Sequence, residues 1–186
     1  MILEIIIFPT DTVYGIGAKI EDTKSLDKIY QIKQRDKKKP ISILFNNLSQ
    51  MKDIVILNDR VQKLADFFWP GPLTLIVPTK IDFYNKTKER KIGIRIPNYP
   101  LTLEILKKKG PLRATSVNLS GQKPLNNYQE IVDRYKNLVD YIYPYDKNYK
   151  LSQKASTVLD TTMPIWKILR KGSISSEMIK KIIGDF

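Results

Sequence analysis

Short apolar runs built largely from Ile, Leu and Val recur along this chain, and each is cut off quickly by Pro, Gly or a polar cluster. Glu4–Phe8 stops at Pro9, Ile41–Phe45 starts after Pro40, Leu73–Val77 stops at Pro78 and Ile92–Ile96 stops at Pro97. Runs this brief and this rich in β-branched residues suit buried strands better than helices. Leu112–Ser116, Tyr141–Tyr143, Thr157–Leu159 and Ile165–Arg170 read as further strands. Between them the apolar spacing changes to that of helices. Thr23–Lys33 sets Leu26, Ile29 and Tyr30 on one face behind Asp22 or Thr23 as N-cap, and Asp59–Phe68 sets Val61, Leu64, Ala65 and Phe68 behind Asn58 or Asp59. Pro100–Lys108 runs into lysines and Gly110, which suits a helix C-terminus. Tyr128–Lys136 behind Asn126 and Asn127, and Ser175–Ile183 capped by Ser175, complete the helices. Thr10–Gly17 reads as a loop, and the polar Tyr143–Ala155 stretch as a mobile one. Strands and helices mix without a strict βαβ beat, so the expected class is α/β or α+β, a sheet with helices packed on it.

The 186 residues suggest one domain spanning 1–186, and 42% apolar residues can fill its core. No apolar run approaches the length of a membrane span, and the opening segment carries a Glu and no basic region, so it reads as a strand and not a signal peptide. A cytoplasmic location is expected. The sequence has no Cys and no His. That excludes disulfides, thiol nucleophiles, thiolate zinc sites and any imidazole base. Lys and Arg number 32 against 19 Asp and Glu, a net charge of +13. Ile, Lys, Asn and Tyr are all abundant, so part of this charge is compositional. The remaining field attracts polyanions such as nucleotides or RNA.

Five strings concentrate chemistry. Pro9–Gly17 crowds Thr10, Asp11, Thr12 and Tyr14 at a strand exit, with glycines that allow close backbone approach. It lacks the third glycine of a dinucleotide fingerprint, and no P-loop string occurs in the chain; a tight capped turn is the alternative reading. Lys33 and Arg35 precede Pro40; on an extended backbone they point to one side and make a phosphate clamp. The alternative is a solvated charge run, which suits Lys37–Lys39 better. Arg95 lies among isoleucines and needs an anionic partner, either a structural carboxylate or a substrate. Thr115, Ser116 and Asn118 offer hydroxyls and an amide suited to phosphate and ribose. Ser156 and Arg170 sit at strand ends near Asp160 and Gly172.

Taken in order, PTDTVYGIGA, IYQIKQRDKKKP, WPGPLTLIVP, GIRIP, ATSVNLSG, STVLD and ILRKG resemble the YrdC-like family, the threonylcarbamoyl-AMP synthases of tRNA modification. They cover nearly the whole chain, from Pro9 to Gly172. The resemblance implies a twisted mixed β-sheet with surrounding helices and a basic concave surface, in the short, single-domain type. It implies that L-threonine, bicarbonate or CO2, and ATP with its Mg2+ give threonylcarbamoyl-AMP and pyrophosphate. Partner enzymes would then pass the threonylcarbamoyl group to tRNA beside the anticodon, with direct tRNA binding left open. By the same resemblance, Lys33 and Arg35 are catalytic and bind ATP with Thr115, Ser116, Asn118 and Arg170. Thr10, Tyr14, Arg95 and Ser156 hold threonine, and no metal ligands are assigned. Where some members carry a His, this sequence has Leu44. A threonine carbamate is already an anionic nucleophile, so attack on the α-phosphorus needs no histidine, only positioning and positive charge. Carbamates decompose in water, so a lid would help, with Tyr143–Ala155 or Lys37–Lys39 as candidates. A non-catalytic RNA-binding module and a carbamoyl-phosphate-handling domain related to hydrogenase maturation remain as rival readings.

Overall fold

The computed structural model describes residues 4–146, 148–149 and 151–186. The strands are β1 (Ile6–Phe8), β2 (Gly15–Lys19), β3 (Ile43–Leu44), β4 (Leu73–Pro78), β5 (Lys91–Arg95), β6 (Leu112–Ser116), β7 (Tyr141–Ile142), β8 (Thr157–Asp160) and β9 (Lys167–Arg170). They form one mixed sheet in the order β7-β1-β2-β6-β3-β5-β4-β8-β9. The pairs β1/β7, β3/β5 and β4/β8 are parallel, and the others are antiparallel. The helices are α1 (Thr23–Ile32), α2 (Asp59–Phe68), α3 (Ile81–Thr87), α4 (Pro100–Lys109), α5 (Tyr128–Tyr135) and α6 (Ser176–Ile183), with a 3-10 turn at Leu48–Met51. Asp22, Asn58, Asn127 and Ser175 cap α1, α2, α5 and α6 with side-chain oxygens, satisfying N–H groups that the first turn leaves open.

Side-chain alternation along the strands decides which helix covers which face. Before and along β1, Ile5 and Ile7 pack with Ile29 of α1 and Ile131 and Tyr135 of α5. Ile6 and Phe8 pack on the other side with Ile105 and Leu106 of α4. In β4 and β5, Leu73, Leu75, Val77, Ile92 and Ile94 join Val61, Leu64, Ala65 and Phe68 of α2 and Ile179 of α6. The alternate residues of the same two strands, Thr74, Ile76, Lys91, Gly93 and Arg95, face a cleft. No helix among the described residues is long and apolar enough to cross a membrane.

Three local expectations need correction. The Thr10–Gly17 loop ends early, because Gly15 starts strand β2. Glycine normally weakens a strand, but a Cβ on Gly17 would stand 2.6 Å from the Arg113 carbonyl oxygen across the β2/β6 pair. The backbone from Lys33 to Arg35 is not extended. Lys33 is the helical C-cap of α1 and Gln34 turns into the left-handed region at φ 49°, so the two cations diverge. The segment from Tyr143 to Ala155, in which Lys147 and Lys150 lie outside the described residues, is tied down at several points. The Ser152 and Gln153 amides donate to the Asp11 and Thr12 carbonyls at 3.0 and 2.9 Å, and the Asp146 amide donates to the Tyr99 hydroxyl at 2.9 Å.

Candidate active site

A cleft of about 470 Å³ opens on the face of β4, β5 and β8 opposite α2 and α6. Gly93 keeps its floor low: a Cβ there would stand 2.5 Å from the Ser42 hydroxyl. Arg35, Arg95 and Arg170 all line this cleft, together with Thr10, Thr115, Ser116 and Ser156. Leu44 lines it as well.

Arg95 is buried, and the structure answers the question of its partner. Its Nη2 donates to Asp11 Oδ1, its Nη1 to Thr12 Oγ1 at 2.9 Å and its Nε to the Gly71 carbonyl at 2.9 Å. The partner is a structural carboxylate, which a buried guanidinium requires. Asp11 also accepts from the Asn98 amide at 3.0 Å, so it pins two segments. Burial lowers the Arg95 pKa against the pull of Asp11, but a guanidinium stays charged. Three of its five donors are engaged among the described residues.

Arg170 donates from Nε to the Ser156 carbonyl and from Nη2 to the Ser156 hydroxyl, both at 2.9 Å. The Ser156 hydroxyl also pairs with that of Thr74 at 2.8 Å. Burial lowers the Arg170 pKa, and the positive charges of Arg95 and Arg35 lower it further. Arg170 therefore faces two like charges across one hollow, and a bound anion would relieve that repulsion. Arg35 sits at the rim, its Nε and Nη2 bonded to the Lys39 and Pro40 carbonyls of its own loop, each at 3.1 Å. Thr10 is buried with its hydroxyl within 3.0 Å of Thr12 Oγ1 and donating to the Val13 carbonyl at 2.7 Å.

Lys33 and Asn118 stand behind the cleft and not in its wall, whereas Tyr14 lines it while packing into the core behind. The Lys33 side chain is fully buried and is absent from the cleft wall. Its ammonium donates to the Ser116 carbonyl, to the Asn118 carbonyl at 2.8 Å and to Asn118 Oδ1 at 3.2 Å. Burial, then the charge of Arg35, push its pKa down to about 8. Asn118 is equally committed. Its Oδ1 accepts from the Ser116 hydroxyl at 2.6 Å, and its amide donates to the Leu119 and Gln122 carbonyls at 2.7 and 2.9 Å. These two residues shape the exit of β6, which presents Thr115 and Ser116. Tyr14 is buried against the α1/α5 core, and its hydroxyl has no hydrogen-bond partner among the described residues. Burial raises its pKa, and the neighbouring Tyr99, Tyr128 and Tyr145 raise it further.

Sequence reasoning assigned no role to Thr74, Lys91 or Asp160, all of which line the cleft. The signal was parity: Lys91 shares a β5 face with Arg95, and Asp160 is in step with Ser156 along β8.

A mixed sheet with an arginine-lined hollow on one face defines the class of protein to which this chain belongs. Residues 4–172 match the family model Sua5/YciO/YrdC, described as "Telomere recombination", and the chain belongs to this family. It is 33% identical over 186 residues to the threonylcarbamoyl-AMP synthase of Bacillus subtilis (strain 168), covering 97% of this chain and 53% of that protein. A crystal structure of P. abyssi Sua5 complexed with L-threonine superposes with a TM-score of 0.88 at 27% identity, covering 98% of this chain and 54% of that one. E. coli YciO superposes with a TM-score of 0.84 at 27% identity, covering 95% and 87%. The chain thus spans about half the length of the first two relatives.

Proposed function

We propose that residues 1–186 act as a single YrdC-like catalytic domain, a nucleotidyltransferase that makes threonylcarbamoyl-AMP and pyrophosphate from L-threonine, bicarbonate or CO2, and ATP. The observation that carries this reading is the convergence of Arg35, Arg95 and Arg170 on one cleft edged by threonine and serine hydroxyls. The names of the relatives and the threonine complex of the P. abyssi protein support it. In this reading Arg95, oriented by Asp11 and Thr12, receives the threonine carboxylate beside Thr10 and Ser156. Arg35 and Arg170 receive the phosphates beside Thr115 and Ser116. Lys33 and Asn118 act indirectly, by holding Ser116 in place, and Tyr14 shapes the wall behind Thr10.

The chemistry suits these groups. The carbamate of threonine attacks the α-phosphorus and pyrophosphate leaves, so the protein's task is to hold two anions together and steady the charge that moves onto the leaving group. The one carboxylate in the cleft lining, Asp160, is already engaged by Lys91, and Asp11 behind it by Arg95. ATP would bring its own Mg2+, which would share the charge of the phosphates with Arg35 and Arg170. The product passes to enzymes that modify tRNA, in a cytoplasmic setting. The test is pyrophosphate release by the purified protein supplied with MgATP, L-threonine and bicarbonate. Release that requires threonine supports the proposal; folded protein that releases none defeats it.

A further inference from the structure

The turn that carries Thr10 is held from two sides by one stretch of chain, the entry of α4. Pro100 opens this helix, and the residue before a proline is confined to extended backbone, which Tyr99 adopts at φ −143° and ψ 114°. Two neighbours of Tyr99 reach the turn directly. The Asn98 amide donates to Asp11 Oδ1 at 3.0 Å, and the buried Thr102 hydroxyl donates to the Pro9 carbonyl. Tyr99 reaches it by a longer route. It is 1% exposed, and its hydroxyl accepts from the Asp146 amide at 2.9 Å. The Tyr149 ring packs on its ring, with centroids 5.5 Å apart. The chain beyond Tyr149 then supplies the bonds from the Ser152 and Gln153 amides to the Asp11 and Thr12 carbonyls. These are successive amides on successive carbonyls, so they grip the turn as a pair. Gln153 makes its bond in a strained conformation. Its φ of 57° lies in the left-handed region, which residues other than glycine rarely adopt. Such strain persists only where the surrounding contacts over-determine it. On one side Ser156 is fixed by Arg170 and Thr74. On the other side stand the Tyr99 hydroxyl and ring, with Tyr145 and Leu151 packed on the α1/α5 core.

We infer that Tyr99 is a positioning residue for threonine: by anchoring the Asp146 amide and the Tyr149 ring, it keeps Ser152 and Gln153 on the turn and so fixes where the Thr10 and Thr12 hydroxyls point. Tyr99 is absent from the cleft wall and acts only through these bonds. The Thr10 hydroxyl takes its direction from the turn's own backbone. It accepts from the Thr12 and Val13 amides at 3.2 and 3.3 Å and donates to the Val13 carbonyl. A shift of the Asp11 and Thr12 peptides therefore moves it. The Thr12 hydroxyl in turn holds Nη1 of Arg95, so the same shift disturbs the guanidinium. A donor or acceptor displaced by a fraction of an ångström loses much of its value to a small ligand. Arg35, Thr115 and Ser116 receive no side-chain hydrogen bond from the 145–153 stretch among the described residues. The effect is thus directed at threonine and not at the phosphates.

This inference rests on the threonine reading of the turn, so binding is measured apart from turnover. Wild type, Tyr99→Phe and Tyr149→Ala are compared in three ways. The first is calorimetric titration with L-threonine, the second is the KM for threonine and for ATP in pyrophosphate release, and the third is hydrogen exchange of the Ser152 and Gln153 amides. Tyr99→Phe keeps the ring and loses the anchoring oxygen. It should weaken threonine binding and raise its KM about 2- to 10-fold, the scale of one ordinary hydrogen bond. The KM for ATP should stay near that of the wild type, and both amides should exchange faster. Tyr149→Ala, at a ring 42% exposed, should move all three readouts the same way by less, and it carries the test if Tyr99→Phe melts early. Wild-type threonine binding in both variants overturns the inference, as does exchange that stays slow in both, or a loss shared equally by threonine and ATP. A wild type that binds no threonine overturns it too. Threonine binding that Tyr99→Phe weakens, in a protein without turnover, would sink the proposed reaction and leave the positioning role standing.

Discussion

The two faces of β4 and β5 are made by alternate residues of the same strands and do opposite work. Leu73, Leu75, Val77, Ile92 and Ile94 disappear under α2 and α6, while Thr74, Ile76, Gly93 and Arg95 look into a cleft with three guanidinium groups. One face supplies burial, at about 1.5–3 kcal/mol for each large apolar side chain removed from water. The other spends stability, gathering like charges in one hollow. Substitutions one residue apart should therefore separate folding from activity.

The largest expected effect is on the covered face. Leu75 is fully buried, and Leu75→Ala should cost roughly 2–5 kcal/mol of unfolding free energy in a denaturant melt. Activity per folded molecule should hardly change. A loss of turnover that matches no loss of stability would break the division between the faces.

Arg35→Ala tests the open face. Its bonds to the Lys39 and Pro40 carbonyls are exposed, so the melting temperature should stay near that of the wild type. Pyrophosphate release should fall roughly 100-fold or more, the scale of one lost transition-state contact. A folded and equally active variant would remove Arg35 from the phosphate site.

A smaller effect sharpens the role of Lys33, which lies behind the cleft. With its pKa near 8, the ammonium begins to lose its third donor above that pH, so Asn118 and Ser116 loosen and the rate should decline on the alkaline side. Lys33→Met should lower the rate at neutral pH and flatten that limb; an unchanged alkaline limb would refute the assignment. Stability moves the other way. The folded-state pKa lies below the ordinary 10.5, so the unfolded chain binds more protons between about pH 8 and 10.5. The penalty of burying this charge is full at neutral pH and is relieved as pH rises through that window.

Local chemistry was readable wherever it acted alone. The spans of α2 and β6, and a cap for each of α1, α2, α5 and α6, followed from residue type and spacing. Strand β2 was hidden because its glycines serve the approach of the neighbouring strand, a contact that adjacent residues do not reveal. Helix α3 was hidden because, in a short and polar segment, it buries only Phe83, and it ends at Lys88 in a left-handed conformation where glycine would have been the expected signal. Arg95 was visible as a buried cation, but its partner Asp11 lies 84 residues away. The extended backbone expected from Lys33 to Arg35 failed on one dihedral angle, the positive φ of Gln34, which a non-glycine residue rarely adopts.

The most direct measurement is a crystal structure of the protein grown with ATP, Mg2+ and L-threonine. The account predicts both substrates in the one cleft, with the threonine carboxylate on Arg95 and the phosphates between Arg35 and Arg170. Ligands found on another surface, with the cleft holding only solvent, would contradict it.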